Sequence, residues 1–170
     1  LEFRRVLFRS GTPDAMQPHS LANRLGAQLR EIVPNLVPRG TKAALIDFPD
    51  TPDCGQHAGW LGEIALLETA GLERVYSCSS QTYRREDMAA ALGEGTIFVH
   101  GGSGFGDPRA QTSAFVLQVL RDFPNSRAIF LPQLAAFADN EFLSRIAAPL
   151  AERPGVTFLA GSIEIGRAHV

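Results

Sequence analysis

Cysteine is scarce: Cys54 and Cys78 are the only two in 170 residues. Two thiols so far apart cannot build the disulfide framework of a small secreted domain, and they point to a reducing cytoplasm. Cys54 and His57 form a Cys-x-x-His half-motif, but no second pair follows, so no zinc centre is expected. No apolar run approaches the roughly 18 residues of a membrane span. No internal repeat or low-complexity tract is present. Basic charge is not in excess either, with a formal net charge of −2. That argues against a nucleic-acid footprint and a polybasic membrane anchor.

The two ends stand apart from the rest. Residues 4–10 and 165–170 can be encoded by complementary strands of one short DNA, which reads as translated sequencing adapter. Segments 1–10 and 164–170 are therefore left out of the fold reasoning, as an expression scar would be. Removing Arg4, Arg5, Arg9, Arg167, Glu2 and Glu164 takes the formal net charge from −2 to −4. The remainder has the size of one ordinary domain. On this reasoning 11–40 is a leader and first helix, 41–163 is one α/β domain, and the chain is a piece of a longer protein.

Helical spacing of Leu21, Leu25, Leu29 and Ile32 predicts a first helix, capped by Ser20 and ended by Pro34 and Pro38. Short apolar runs predict strands at 43–48, 74–78, 96–100, 127–131 and 156–160. Between them lie helices at about 58–69, 85–92, 111–121 and 141–151, the first with Trp60, Leu61, Ile64 and Leu67 on its apolar side and Gly71 as its stop. Strands alternating with helices at this spacing mean βαβ units: a Rossmann-like, mostly parallel sheet with helices on both faces.

Chemistry-bearing residues gather in loops that follow strands. The strand Thr96–His100 runs into Gly101-Gly102-Ser103-Gly104-Phe105-Gly106-Asp107, whose four glycines let the backbone approach a ligand closely. In an open α/β sheet such a loop lies at the carboxyl edge, where ligands bind. Two further loops, Pro49–His57 and Pro132–Ala135, should share that edge and add Asp50, Asp53, Gln56, His57 and Gln133. A dinucleotide fingerprint needs its third glycine three places after the second, whereas Gly102, Gly104 and Gly106 are spaced by two. A nucleophile elbow around Ser103 fails because Phe105 holds the last glycine position. A tight structural turn without a ligand is the plain alternative. His100 at a strand end reads as a hydrogen-bonded structural histidine, and Glu63 as a solvated helix-face charge unless it turns toward the loops. Asp47 inside the first strand needs a hydrogen bond or an exposed strand end.

Taken in order, these pieces resemble the polysaccharide pyruvyl transferase family. They are Leu45-Ile46-Asp47-Phe48-Pro49, the run from Asp53 to Glu63, His100 to Asp107, Asp122-Phe123-Pro124 and Leu131-Pro132-Gln133. Two positions depart from the family pattern in the first loop: Asp53 stands where Asn is usual, and Gln56 where Asp is usual. In the second loop Ser103 and Gly104 replace Gly and Asn. The resemblance implies one half of a two-domain architecture like that of B-fold glycosyltransferases. It also implies transfer of pyruvate from phosphoenolpyruvate to sugar hydroxyls as a ketal, during exopolysaccharide biosynthesis. Phosphoenolpyruvate is then the donor substrate, with no resident cofactor or metal. The acceptor is a saccharide or lipid-linked oligosaccharide, and the location is the cytoplasm or its face of the membrane. His57 and Asp107 are the candidate bases. Asp53, Gly55, Gln56, Gly101, Gly102, Ser103, Phe105, Gly106 and Gln133 are the candidate substrate-binding residues. The cations that hold the donor are expected mainly in the other domain, with Arg84 and Arg109 as candidates here; the piece alone is expected to be inactive. A sugar- or phosphate-binding module without chemistry, or a nicotinamide-dependent enzyme, are the alternatives.

Overall fold

The computed structural model describes residues 2–5, 18–102, 111–137, 148–150 and 152–165. In chain order the elements are β1 (Glu2–Arg5), α1 (Pro18–Leu36), β2 (Lys42–Ile46), α2 (Cys54–Thr69) and β3 (Glu73–Cys78). Then come α3 (Arg85–Leu92), β4 (Thr96–Val99), α4 (Gln111–Asp122), β5 (Ala128–Phe137) and β6 (Val156–Ile165). The strands form one sheet in the order β1-β6-β5-β4-β2-β3, and every described pairing is parallel. Strand β1 and the end of β6 fall in the segments left out of the sequence reasoning.

The alternation of side chains along each strand divides the core into two layers. Ala44, Ile46, Ile97, Val99 and Phe130 point to one face, where Met88 and Leu92 of α3 and Val116 and Val119 of α4 cover them. Ala43, Leu45, Phe98, Ile129 and Leu131 point to the other, under Val33 and Leu36 of α1 and Trp60 and Leu67 of α2. Strands buried on both faces read as continuous apolar runs, which is why the runs located them. Each fully buried Leu or Ile among them contributes roughly 1.5–3 kcal/mol.

Local chemistry moves several predicted boundaries. Helix α1 begins at Pro18, so Ser20 lies inside it and is not its cap, and Pro34 lies within its last turn. A proline there loses its own N–H bond and its ring crowds the carbonyl four residues back, yet the turn still closes through Val37 N donating to Val33 O at 3.1 Å. Leu61 is 65% exposed, so the apolar side of α2 is narrower than predicted and centres on Trp60, Leu66 and Leu67. Gly71 at φ 75° does stop that helix. Strand β5 continues through Pro132-Gln133, where it was expected to end, with register shifts on either side of Gln133. Proline cannot donate to the ladder, so the pairing with β6 slips there and then resumes. Of the predicted helix at 141–151, only 148–150 lie among the described helical residues.

The sheet order places the site. From β2 the chain moves outward to the edge strand β3, then crosses back to β4 and proceeds the opposite way through β5 and β6. Connections leaving β2 and β4 therefore diverge to opposite faces and open a crevice between the two carboxyl ends.

Candidate functional site at the switch point

The loop leaving β2 becomes helix earlier than apolar spacing suggests. Asp53 is the N-cap of α2: its Oδ1 accepts from Gly55 N at 2.7 Å and from Gln56 N at 3.4 Å. Gln56 Nε2 donates to Asp53 Oδ2 at 3.4 Å. Gly55, Gln56 and His57 thus stand on the first turn of a helix, not in a loop. Those backbone hydrogen bonds, Gly55 first, hold the Asp53 carboxyl below its ordinary range.

A cavity of about 740 Å³ opens at the crevice, lined among others by Asp53, Gln56, Glu63, His100, Gly101 and Gly102. It has the size of a small-ligand site. Gly55, Gly59 and Gly62 of α2 also line it, one helical face stripped of side chains. Helix α1 closes another side with Leu29 and Arg30. Sequence reasoning missed Arg30, although helical spacing puts it on one face with Gly26 and Leu29.

The floor is a buried network. His100 Nδ1 lies 2.6 Å from Glu63 Oε2, and Gly101 N donates to Glu63 Oε1 at 2.7 Å. Both side chains are largely buried, 7% and 12% exposed for His100 and Glu63. Burial pushes the Glu63 carboxyl up, against the opposing pull of His100 and the Gly101 amide. Glu63 therefore does turn toward the loops. Gly101 cannot carry a side chain: a Cβ there would meet Pro132 O at 2.6 Å and Glu63 Oε1 at 2.9 Å. Gly102 adopts φ 150°, within the range that favours glycine.

His57 turns elsewhere. Its Nε2 lies 3.0 Å from Pro49 O, and its ring stacks on Phe48 with centroids 5.5 Å apart. A carbonyl can only accept, so Nε2 carries the proton and Nδ1 is the ring atom left for base chemistry. Phe48 meets Trp60 edge-on at 5.2 Å, and Trp60 meets His100 at 5.5 Å. Asp47 stands just past the end of β2 at φ 73°, in the left-handed region that Asp tolerates better than most residues. Arg84 is engaged locally, donating to Tyr83 O at 2.9 Å.

Ser103, Phe105, Gly106, Asp107 and Arg109 lie outside the described residues, and for Gln133 only the backbone, in β5, is described. Among the described residues no cluster of three or more potential metal ligands occurs, and no helix is long and apolar enough to cross a membrane.

No family model matches the chain. Over 124 residues it is 30% identical to Pyruvyl transferase 1 of Schizosaccharomyces pombe, an alignment covering 69% of this chain and 31% of that curated relative. The chain therefore spans less than a third of the relative's length. The likeness supports a pyruvyl transferase family.

Proposed function

We propose that this chain is the N-terminal α/β half of a polysaccharide pyruvyl transferase. The observation that carries the proposal is a coincidence of place. Three of the five segments resembling that family, through residues from Asp53 to Glu63, His100 to Gly102 and Pro132, line one ligand-sized cavity at the sheet's switch point, in a chain 30% identical over 124 residues to a pyruvyl transferase. Phosphoenolpyruvate is the donor, a saccharide bearing two neighbouring hydroxyls is the acceptor, and exopolysaccharide synthesis in the cytoplasm is the setting. A second α/β domain, arranged as in B-fold glycosyltransferases, supplies most of the cations that hold the donor.

The donor's methylene carbon takes a proton and becomes a methyl group, leaving its neighbour electron-poor. One acceptor hydroxyl adds there, the carbon–oxygen bond to phosphate breaks with its electron pair going to phosphate, and the second hydroxyl closes the ketal. Two hydroxyl protons are released; one is accounted for by the methyl group and one by phosphate. Such a path needs a proton donor, a base and cationic contacts. The base candidates are Asp107 and, through Nδ1, His57, which follows Gln56 on α2 but does not itself line the cavity; Arg30 is a cation at the cavity, and Asp53, Gln56, Gly101 and Gly102 shape the acceptor side.

Replacing His57 and Asp107 singly with Ala in the longest reading frame that carries this chain should cut turnover by more than about tenfold. Unchanged turnover in both variants removes them from the mechanism.

One observation favours a second reading, a binding module without chemistry. Gln56 stands where the family has Asp, and its amide is spent on Asp53 Oδ2. Calorimetry with phosphoenolpyruvate and saccharides, run beside a phosphate-release assay, separates the two. Binding without release selects the module.

A further inference from the structure

We propose that Glu63 is a positioning residue for the transfer reaction, one buried carboxyl group that sets both the tautomer of His100 and the placement of the Gly101 amide. This deepens the function proposed above and rests on it. Glu63 offers its two oxygens to two consecutive residues just past β4: Oε2 to His100 Nδ1 at 2.6 Å, Oε1 to Gly101 N at 2.7 Å. A carboxylate only accepts, so Nδ1 carries the ring proton toward Glu63, while Nε2 lies buried in the wall of the cavity. The ring cannot rotate freely, with the Trp60 edge at 5.5 Å and the Gly59 backbone close against it, where an added Cβ would lie 3.7 Å from Cε1. The Gly101 amide is the first N–H of the glycine loop, and Glu63 anchors it to α2.

The pairing bridges the two carboxyl-end connections that flank the switch point. Helix α2 brings Asp53 and Gln56 to the cavity, and β4 brings His100, Gly101 and Gly102. The carboxyl of Glu63 joins them across 37 positions of sequence. Its charged neighbours on that cavity are Arg30 of α1 and Asp53 of α2. By holding His100 and Gly101 against α2, Glu63 fixes the shape of the cavity wall that the acceptor packs against.

The test compares wild type with Glu63→Gln in the longest reading frame that carries this chain. Glutamine keeps the size of the side chain, and its carbonyl oxygen still accepts from Gly101 N. Its amide, however, donates to His100 Nδ1 and drives the ring proton to Nε2. Nitrogen-15 spectra of the imidazole should show the proton on Nδ1 in wild type and on Nε2 in the variant. Phosphate release from phosphoenolpyruvate with saccharide acceptors should fall about tenfold or more in kcat, with KM for the donor little changed. A wild-type proton on Nε2, or full turnover in a folded Glu63→Gln with the tautomer switched, overturns the proposal. Should the variant fail to fold, the wild-type spectrum still decides the tautomer. A wild-type protein that releases no phosphate overturns the transferase function, and the role in transfer with it, whatever the tautomer.

Discussion

Glu63 and His100 sit 37 positions apart and meet at 2.6 Å beneath the cavity. Neither residue type is informative alone: a helix Glu is usually solvated, and a strand-end His is usually structural. Their meeting follows from the packing that sets α2 over β2 and β4, and with the Gly101 amide it ties α2 to the residues just past β4.

Backbone approach at Gly101 is tight, and at Gly62 it is open. Gly101→Ala would drive a Cβ to 2.6 Å from Pro132 O, a backbone atom that cannot swing aside. It should cost about 1–3 kcal/mol, as overpacking does. Gly62→Ala meets nothing within 4 Å and sits in a helix interior. It should stabilise by up to about 1 kcal/mol, the difference in helix propensity. Urea melts of the two variants check the opposite signs.

Ionisation of Glu63 should lower stability. Its folded-state carboxyl is raised above the usual 4.5 because burial penalises the charged form. The favourable contribution is therefore complete below pH 4.5 and is lost as pH climbs through the raised value. Glu63→Gln lacks that titration, so its melting temperature relative to wild type should rise across the same window. A difference that stays flat, or falls, contradicts the burial argument.

Asp53 carries the reverse sign. Hydrogen bonds from Gly55 N and Gln56 N hold its carboxyl below 3.8, so its capping contribution is present above that pH and fades as pH falls through the lowered value. Asp53→Asn retains a capping oxygen and loses the titration. The melting difference between wild type and Asp53→Asn should be steady near neutrality and change only in acid.

The two thiols should behave differently. Cys54 is exposed, whereas burial pushes the Cys78 thiol up to about 12. Alkylation of the folded protein at mildly alkaline pH should label Cys54 and spare Cys78 until denaturant is added, as peptide mapping would show.

How much of this was legible from residues follows from where the information resides. The layered α/β class and the existence of β2 to β6 came through because strands buried on both sides are written as local apolar runs. The start of α2 did not, because Cys54 and Gly55 are poor helix formers and the turn depends on one side-chain cap at Asp53. Strand β5 runs past Pro132 because pairing with β6 outweighs that local stop signal. The convergence of Asp53, Gln56, Gly101 and Gly102 was legible from strand-end loops and the switch-point rule. The Glu63–His100 pair was not, since a contact across 37 positions is set by tertiary register. Arg30 went unseen for the same reason: nothing local says which face of α1 looks over the crevice.

The most direct test of the central claim is a product assay on the longest reading frame that carries this chain. The protein is incubated with phosphoenolpyruvate and a saccharide with two neighbouring free hydroxyls, and phosphate and the acceptor's mass are followed together. Phosphate release matched by a pyruvate ketal on the acceptor, both lost when bulk is placed in the cavity by Gly62→Trp in a folded protein, is the predicted result. Saturable binding of both ligands with neither phosphate nor ketal formed would contradict transfer and leave a binding module.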